Sequence, residues 1–239
     1  MSKSNTTIII LAAGKGTRMQ SNLPKVLHTI NGKTMLNTVL ETAYKLNPKK
    51  VIVVVGYKKE LVQESVIYDD VEFVEQKTLN GTGDAIRYCL PNLRNCSGNV
   101  LILSGDVPLI KIDTLKKLIK MHNDLKASGS LISTNLTNPA GYGRIIKNNS
   151  NQLIKIKEHK DATKEEQLIN EINSGIYVFN SKILSTKIPL ITNKNMQNEY
   201  YLTDIFNFID TESTAICNID NQKEISGVNT IEQLKMLEQ

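Results

Sequence analysis

Short apolar runs alternate with amphipathic stretches along the first half of the chain. The runs predict strands at Thr7–Ala12, Val51–Val55, Val71–Val74 and Val100–Leu103. Apolar residues at helical spacing predict helices over Thr34–Leu46 and Ile112–Leu125, and the loop Gly81-Thr82-Gly83 predicts the start of another helix over Asp84–Leu90. Strands that alternate with helices are typical of βαβ units, so this half predicts a mainly parallel sheet with flanking helices.

The second half has strand-like segments separated by short interruptions. These segments are Ser130–Asn135, Gly143–Lys147, Leu153–Lys157 and Ile172–Phe179. Strands so closely spaced are expected to pair partly antiparallel. The remaining segments predict a surface helix or loop at Asp161–Gln167, an exposed connection at Lys187–Asn198 and a short helix at Thr230–Leu237. No repeat or linker composition divides the chain, so residues 1–239 are expected to form one α/β domain.

Composition excludes several classes of protein. Apolar residues make up 40% of the chain and charged residues 22%, without a run near the about 18 apolar residues that a membrane span needs. Lysines are interspersed with acids, which argues against nucleic-acid binding, although the net charge of +5 suits a cleft for phosphorylated small molecules. The three cysteines have no metal-binding spacing and are expected to be buried or incidental. The first residues lack a secretory signal, so a cytoplasmic location is expected.

The first strand leads into a loop of small and cationic residues. Its sequence is AAGKGTR at residues 12–18, and Leu23-Pro24-Lys25 follows shortly afterwards. This is not a Walker loop, which needs Gly-Lys-Ser/Thr after four intervening residues. It is not the dinucleotide fingerprint either, because Met19 stands at the third glycine position. A buried strand that ends in such a loop can offer backbone amides and cations to a phosphate. The loop predicts a nucleoside triphosphate site, and the alternative is a solvated basic loop.

A second polar position follows the strand predicted at Val100–Leu103. Gly105-Asp106 comes at the carboxyl edge of the sheet, where open α/β sheets bind their ligands. Mg²⁺ is commonly held by one or two carboxylates together with phosphate oxygens of the substrate. Asp106 therefore predicts a Mg²⁺ ligand, and the alternative is a turn residue that caps the helix beginning near Ile112.

Together with further motifs, these segments resemble the sugar-nucleotide pyrophosphorylase family. The motifs are residues 11–19, Leu23-Pro24-Lys25, Gln76, Gly81-Thr82-Gly83, Gly105-Asp106, Gly141-Tyr142-Gly143-Arg144, residues 158–163, residues 171–175, residues 199–204 and Gly227-Val228-Asn229. The later ones are similar to the uridylyltransferase domain of bifunctional bacterial enzymes that make UDP-N-acetylglucosamine. The resemblance covers essentially the whole chain. It implies a Rossmann-like nucleotide-diphospho-sugar transferase fold, with a nucleotide-binding half at about 1–110 and a small antiparallel sugar-binding subregion within about 111–239.

The resemblance also implies a role for individual residues. The nucleotide-binding positions are Leu11, Ala12, Ala13, Gly14, Gly16, Gln76, Gly81 and Thr82. The sugar-binding positions are Gly105, Gly143, Glu158, Asn173, Tyr201 and Thr203. Arg18 and Lys25 match the catalytic cations, with Lys15 as a helper, and Asp106 and Asn229 match the Mg²⁺ ligands. Structural roles in turns, hydrogen bonds or the core are the alternatives.

The implied reaction joins UTP and N-acetylglucosamine 1-phosphate to give UDP-N-acetylglucosamine and pyrophosphate. A phosphate nucleophile is already ionised at neutral pH and needs no general base, so catalysis is not expected from His28, His122 or His159. Two alternatives are a pyrophosphorylase for another sugar 1-phosphate and a nucleotide-binding module without catalysis.

The sequence departs from the family pattern at three positions and in one domain. Asn80 stands where glutamine is usual, Asp84 where histidine is usual and Ser104 where an aromatic residue is frequent, which leaves the strictness for uracil open. The left-handed β-helix domain that carries acetyl transfer and forms the family's trimer is not expected, because there is no hexapeptide repeat. The oligomeric state is therefore left open.

Overall fold

A computed structural model describes residues 3–237 of the protein. The strands are β1 (Thr6–Leu11), β2 (Thr29–Ile30), β3 (Lys33–Thr34), β4 (Lys50–Val55), β5 (Val71–Glu75), β6 (Asn99–Ser104), β7 (Gly129–Asn135), β8 (Arg144–Lys147), β9 (Leu153–Lys157), β10 (Glu171–Asn180) and β11 (Thr214–Asn218). The α-helices are α1 (Met35–Tyr44), α2 (Lys59–Ser65), α3 (Thr82–Leu93), α4 (Ile112–Asp124), α5 (Lys164–Gln167), α6 (Ser181–Lys187) and α7 (Ile231–Leu237). Short 3₁₀ helices include Thr17–Met19, Lys25–Leu27, Ile188–Leu190 and Leu202–Phe208.

The central sheet has the strand order β11-β7-β10-β6-β1-β4-β5. Strands β6, β1, β4 and β5 are parallel to their neighbours in this group. Strand β10 runs antiparallel to both β6 and β7, whereas the edge strand β11 is parallel to β7. Strands β8 and β9 form an antiparallel pair that joins β10. The mainly parallel first half and the partly antiparallel second half are thus confirmed, and the fold is the mixed α/β architecture that the resemblance implies.

Apolar side chains bury both faces of the sheet. On β1, Ile8 and Ile10 belong to the cluster that contains residues of α1 and α4, whereas Ile9 belongs to the cluster that contains residues of α3 and α6. A strand buried on both faces is mostly apolar at successive positions, which explains the uninterrupted run from Ile8 to Leu11. Within residues 3–237, no helix combines the length and the apolar character needed to cross a membrane.

The structure corrects two of the sequence-based boundaries. Helix α3 begins at Thr82 rather than Asp84 and continues through Pro91 to Leu93, where the proline removes only one donor in the last turn. Residues 187–198 are not a wholly exposed connection, because Ile188 and Ile191 are buried in the apolar cluster that contains residues of α3. The segment at residues 161–167, expected as a surface helix or loop, contains the short helix α5, and the helix predicted at residues 230–237 is confirmed as the shorter α7.

Candidate active site

A pocket of about 350 Å³ opens over the carboxyl ends of β1 and β6. Most of the predicted nucleotide-binding residues line it, namely Leu11, Ala12, Ala13, Gly14, Gln76, Gly81 and Thr82. The lining also includes the polar residues Lys15, Lys25, Ser104, Asp106 and Glu199. The pocket therefore brings together segments that lie far apart in the sequence, at the sheet edge where α/β proteins bind ligands.

Hydrogen bonds to β4 and to the residue after β6 fix the point where β1 passes into the following loop. The Ala12 N–H donates to Val54 O at 2.9 Å, and the Gly105 N–H donates to Leu11 O at 2.9 Å. A Cβ atom on Gly14 would have no neighbour within 4 Å, so the space where a side chain would project from this residue is empty of protein atoms. The arrangement leaves room for a ligand directly against the backbone of the loop.

Gly16 has a different structural task from Gly14. Its φ of +64° lies in the left-handed region, and it is the N-cap of the 3₁₀ helix Thr17–Met19. A Cβ atom at this position would lie 2.5 Å from Lys25 Cβ. Gly16 does not line the pocket itself but allows Lys25 to pack against the loop, so this predicted nucleotide-binding residue positions a cation.

Four predicted residues meet beside this loop. The Lys25 ammonium group forms an ion pair with Asp106 Oδ2 and lies 3.1 Å from Asn229 Oδ1. Arg18 Nη2 donates to the same Asn229 Oδ1 at 2.8 Å. The loop that carries Asn229 is held by the Val228 N–H, which donates to Asp106 O at 2.9 Å. The predicted catalytic cations and the predicted metal ligands are therefore parts of one cluster.

The oxygen atoms of this cluster suit Mg²⁺. Asp106 Oδ2 and Asn229 Oδ1 both contact one ammonium group, so two oxygen donors already face a common cation position. Mg²⁺ prefers such ligands and leaves its other positions to water and substrate phosphates. The described part of the chain holds no group of three or more His, Cys, Asp or Glu side chains arranged for a metal ion. The two oxygen donors of Asp106 and Asn229 fit a Mg²⁺ ion whose remaining ligands would come from water and the substrate.

Tyr142 is a further neighbour of this cluster, although its sequence motif alone did not indicate a role in the site. Burial raises the pKa of its hydroxyl, and the negative charge of Asp106 raises it further. The Gly227 backbone and the positive charge of Arg18 oppose this shift, since both lower the pKa of the hydroxyl. The signal in the sequence was the single aromatic residue within the glycine pair of GYGR at residues 141–144.

Gln76 closes one side of the pocket at the end of β5. Its side chain is nearly buried, and its backbone N–H donates to Val55 O at 2.8 Å. The carboxamide donates from Nε2 to Gly81 O at 3.0 Å. Gly81 has a φ of +105°, and a Cβ atom there would lie 2.6 Å from Tyr200 O. The Thr82 hydroxyl accepts a hydrogen bond of 3.1 Å from the Leu202 N–H, so Thr82 also fixes the start of α3.

A second polar cluster contains four of the predicted sugar-binding residues. The Thr203 hydroxyl donates to Glu158 Oε1 at 2.9 Å, and the Asn173 N–H donates to Gly143 O at 2.9 Å. A Cβ atom on Gly143 would lie 3.5 Å from both carboxylate oxygens of Glu158. Burial raises the pKa of Glu158, and the charges of nearby acidic residues raise it further while the Thr203 hydrogen bond opposes the shift.

The side chain of Asn173 and the position of Gly105 need separate description. The Asn173 side chain is already engaged, because Nδ2 donates to the Tyr177 hydroxyl at 2.6 Å and Oδ1 accepts from the Gly175 N–H at 3.2 Å. Gly105 lies beside Leu11, on the nucleotide side rather than next to Glu158. Contact with a sugar stays a prediction for Gly105 and Asn173, as it does for Gly143, Glu158 and Thr203.

Tyr201 is held by its own network. Its hydroxyl donates to Asp161 Oδ2 at 3.1 Å and accepts from Gln197 Nε2 at 2.8 Å. Burial raises the pKa of Tyr201 to about 12, so the phenol stays protonated at neutral pH. The structure therefore shows Tyr201 as a support for the segment around residue 200, and its contact with a sugar also stays a prediction.

The histidines lie outside the lining of this pocket. His122 is buried on α4 with Nδ1 at 2.8 Å from the Ser130 hydroxyl, and burial lowers its pKa to about 4. Burial also lowers the pKa of His28, and His159 Nδ1 lies 3.4 Å from Arg144 Nη2. The three histidines therefore lie in positions that suit structural roles rather than roles in this pocket. Of the cysteines, Cys89 and Cys217 are buried, and burial raises the pKa of Cys89 to about 12.

Comparison with known proteins identifies the family. Residues 8–163 match the family model described as MobA-like NTP transferase domain. The chain is 43% identical over 232 residues to the "Bifunctional protein GlmU" of Prochlorococcus marinus (strain NATL2A), covering 97% of this chain and 52% of that protein. It is 45% identical over 232 residues to the protein of the same name from Alkaliphilus oremlandii (strain OhILAs), covering 96% of this chain and 50% of that protein. The chain thus spans about half the length of these bifunctional relatives.

A further relative is covered almost completely. The "Probable UDP-N-acetylglucosamine pyrophosphorylase" of Acanthamoeba polyphaga mimivirus is 41% identical over 251 residues, which cover 100% of this chain and 98% of that protein. The family model covers more than half of the chain, and it begins in β1 and extends beyond β9. By both measures, this chain belongs to the MobA-like NTP transferase family.

Proposed function

We propose that the protein is a uridylyltransferase that converts UTP and N-acetylglucosamine 1-phosphate into UDP-N-acetylglucosamine and pyrophosphate. One observation carries the proposal: Arg18, Lys25, Asp106 and Asn229 converge beside a pocket for a nucleotide-sized ligand. The names of the relatives support the choice of nucleotide and sugar. The proposed location of the enzyme is the cytoplasm. Its proposed partners are small-molecule substrates, and neither nucleic acid nor a membrane is proposed as a partner.

The chemistry requires two polyanions to approach each other. An oxygen of the sugar phosphate attacks the α-phosphorus of UTP, the bond to the β-phosphate oxygen breaks, and pyrophosphate leaves with that electron pair. Lys25 and Arg18 would offset the repulsion and stabilise the charge that develops on the phosphoryl oxygens. Asp106 and Asn229 would hold Mg²⁺, which when bound supplies further positive charge to the phosphates. No side chain has to remove a proton from the nucleophile.

The two ends of the substrates would bind at separate places. The backbone at Leu11–Gly14 would bind the phosphates, while Gln76 and Gly81 would bind the uracil. The cluster of Gly143, Glu158 and Thr203 would bind the sugar hydroxyls and the acetamide group. The carboxyl oxygens of Glu158 would accept hydrogen bonds from sugar hydroxyls, which gives this second cluster a chemical reason to hold a buried acidic side chain.

Pyrophosphate release tests the proposal. UTP, CTP, dTTP and ATP would each be combined with N-acetylglucosamine, glucose and N-acetylgalactosamine 1-phosphates, with and without Mg²⁺. We expect fast release only with UTP, N-acetylglucosamine 1-phosphate and Mg²⁺. Release with a different sugar phosphate would support the alternative pyrophosphorylase, and UTP binding without any release would indicate a catalytically inactive module.

A further inference from the structure

The carboxamide of Gln76 has a fixed orientation in the nucleotide pocket. Its Nε2 lies 3.0 Å from Gly81 O and 3.4 Å from Asp84 Oδ2. A backbone carbonyl and a carboxylate only accept hydrogen bonds, so both contacts require the amino group of Gln76 at this position. Turning the carboxamide over would bring Oε1 against two acceptors. Chemistry alone therefore assigns the nitrogen and the oxygen of this side chain.

The opposite atom of the carboxamide is left for a ligand. Gln76 Oε1 accepts no hydrogen bond from any residue in the described range 3–237, and it is not among the side-chain atoms that are both fully buried and unpaired there. Gln76 lines the pocket although only 5% of the residue is exposed. The exposed part thus includes an acceptor oxygen that has no partner within this part of the protein.

Asp84 is in a position to maintain this orientation. It lies in the first turn of α3, where the helix dipole favours a negative side chain. Gly81 O is shared, because it also accepts from the Ala85 N–H at 3.2 Å. The Asp84 carboxylate supplies the second acceptor that an amino group with two hydrogens requires.

We propose that Asp84 is a positioning residue that turns Gln76 Oε1 toward the base and thereby favours uracil over cytosine. This inference rests on the proposed function, which places the base beside Gln76. Uracil offers a donor at N3–H to the oxygen, whereas N3 of cytosine is an acceptor and would meet Oε1 lone pair against lone pair. Sites built for one hydrogen-bond pattern reject the analogue that leaves a buried polar group unpaired.

Calorimetric titration with Mg²⁺-UTP and Mg²⁺-CTP tests the inference. The readout is the ratio of the two dissociation constants, which should favour UTP in the wild-type protein. Asp84→Ala is expected to reduce this preference about 10-fold, as one hydrogen bond to a charged group is lost. Asp84→Asn retains a side-chain acceptor and should stay within about 3-fold of the wild-type ratio. Asp113→Ala, which removes a first-turn aspartate from α4 instead, is the matched control and should leave the ratio unchanged.

A double-mutant cycle separates positioning from a direct contact. In a Gln76→Ala background, Asp84→Ala should no longer change the ratio, because Asp84 acts through Gln76. A further change in that background would overturn the inference, as would an unchanged ratio in the single Asp84→Ala variant. Asp84→Ser keeps a residue suited to a first helical turn and should show the same loss if the alanine variant is unstable.

A measurement without nucleotide distinguishes this inference from the proposed function. In the free protein, the side-chain amide protons of Gln76 should exchange with water faster in Asp84→Ala than in the wild type. Equal exchange rates would overturn the positioning role, whatever the substrate. A wild-type protein that binds UTP no more tightly than CTP, with the exchange difference intact, would instead overturn the uracil preference and the nucleotide of the proposed function.

Discussion

The ammonium group of Lys25 contacts the carboxylate of Asp106, although 81 positions separate the two residues in the chain. The same ammonium group reaches Asn229 Oδ1, so a side-chain cation lies between the two oxygen atoms proposed for Mg²⁺. Both side chains are largely buried, with 15% of the Lys25 side chain and 20% of the Asp106 side chain exposed. In this arrangement Lys25 neutralises Asp106 and occupies the position that we propose for the metal ion.

Removing the Lys25 charge should tighten metal binding while slowing turnover. Lys25→Met eliminates the competing cation, so Mn²⁺ used as a Mg²⁺ probe should bind the nucleotide-free protein about 10-fold more tightly, by titration under electron paramagnetic resonance. Turnover should fall on the order of 10²- to 10³-fold, as for other preorganised electrostatic groups. Lys33→Met is the control, because Lys33 pairs with Glu41 on the exposed surface and should affect neither quantity. Unchanged Mn²⁺ affinity in Lys25→Met would contradict the shared position.

Two glycines of one loop should respond differently to the same substitution. Gly14→Ala adds a methyl group to open space, so stability should change by less than about 1 kcal/mol while UTP binding weakens. Gly16→Ala places a Cβ at a positive φ and against Lys25, so it should cost about 1–3 kcal/mol in the free energy of unfolding. Urea unfolding and calorimetric titration with UTP measure the two effects. Full UTP affinity in Gly14→Ala would argue against nucleotide binding along this loop.

The pattern of the chain predicts the parallel half well because burial there is nearly complete. Val51–Val55 and Val100–Leu103 appear as strands within one residue at each end, since central strands are apolar on both faces. Strand β11, at Thr214–Asn218, was missed because its sequence mixes polar and apolar residues, and pairing with β7 decides its conformation. The burial of Ile188 likewise depends on packing against α3, which local sequence does not contain.

The sequence indicated which residue types belong to the site, but it did not indicate which of these residues contact each other. Arg18 and Asp106 each follow a recognisable strand, and their residue types indicate phosphate and metal chemistry. The bond from Arg18 to Asn229 joins residues 211 positions apart, so it arises from the fold of the whole chain. Tyr142 was missed for the same reason, since the tertiary fold brings it within the electrostatic influence of Asp106.

Glu158 should make the stability of the protein depend on pH. Burial raises the pKa of Glu158 above its value in the unfolded chain, so the folded state binds the proton more tightly. Stability is therefore lost as the pH rises from the ordinary glutamate pKa through the raised one. Glu158→Gln should be more stable than the wild type at about pH 8, and this advantage should shrink toward about pH 4, in urea unfolding at several pH values. Glu212→Gln, an exposed substitution, should show no such trend.

The same substitution should impair sugar binding. If the Glu158 carboxylate accepts hydrogen bonds from the sugar, Glu158→Gln should raise KM for the sugar 1-phosphate roughly 10- to 100-fold, with little change in the affinity for UTP. Steady-state kinetics with each substrate varied in turn measure this split. An equal loss of UTP affinity would show that the effect is structural and would remove Glu158 from the proposed sugar site.

Arg144 should stabilise the folded protein through hydrogen bonds that a lysine at this position could not make. It is 1% exposed on β8, and its guanidinium donates to Tyr142 O and, at 3.4 Å, to Gln167 O. Burial lowers the pKa of Arg144, because removing the charged guanidinium from water is unfavourable. Among the described residues, no ion pair with a carboxylate offsets this desolvation. Arg144→Met should therefore cost about 1–3 kcal/mol through the lost hydrogen bonds, and Arg144→Lys at least as much, because an ammonium group is more strongly hydrated and lacks the planar fork. Urea unfolding of both variants measures the difference, and a lysine variant as stable as the wild type would show that only the charge is required.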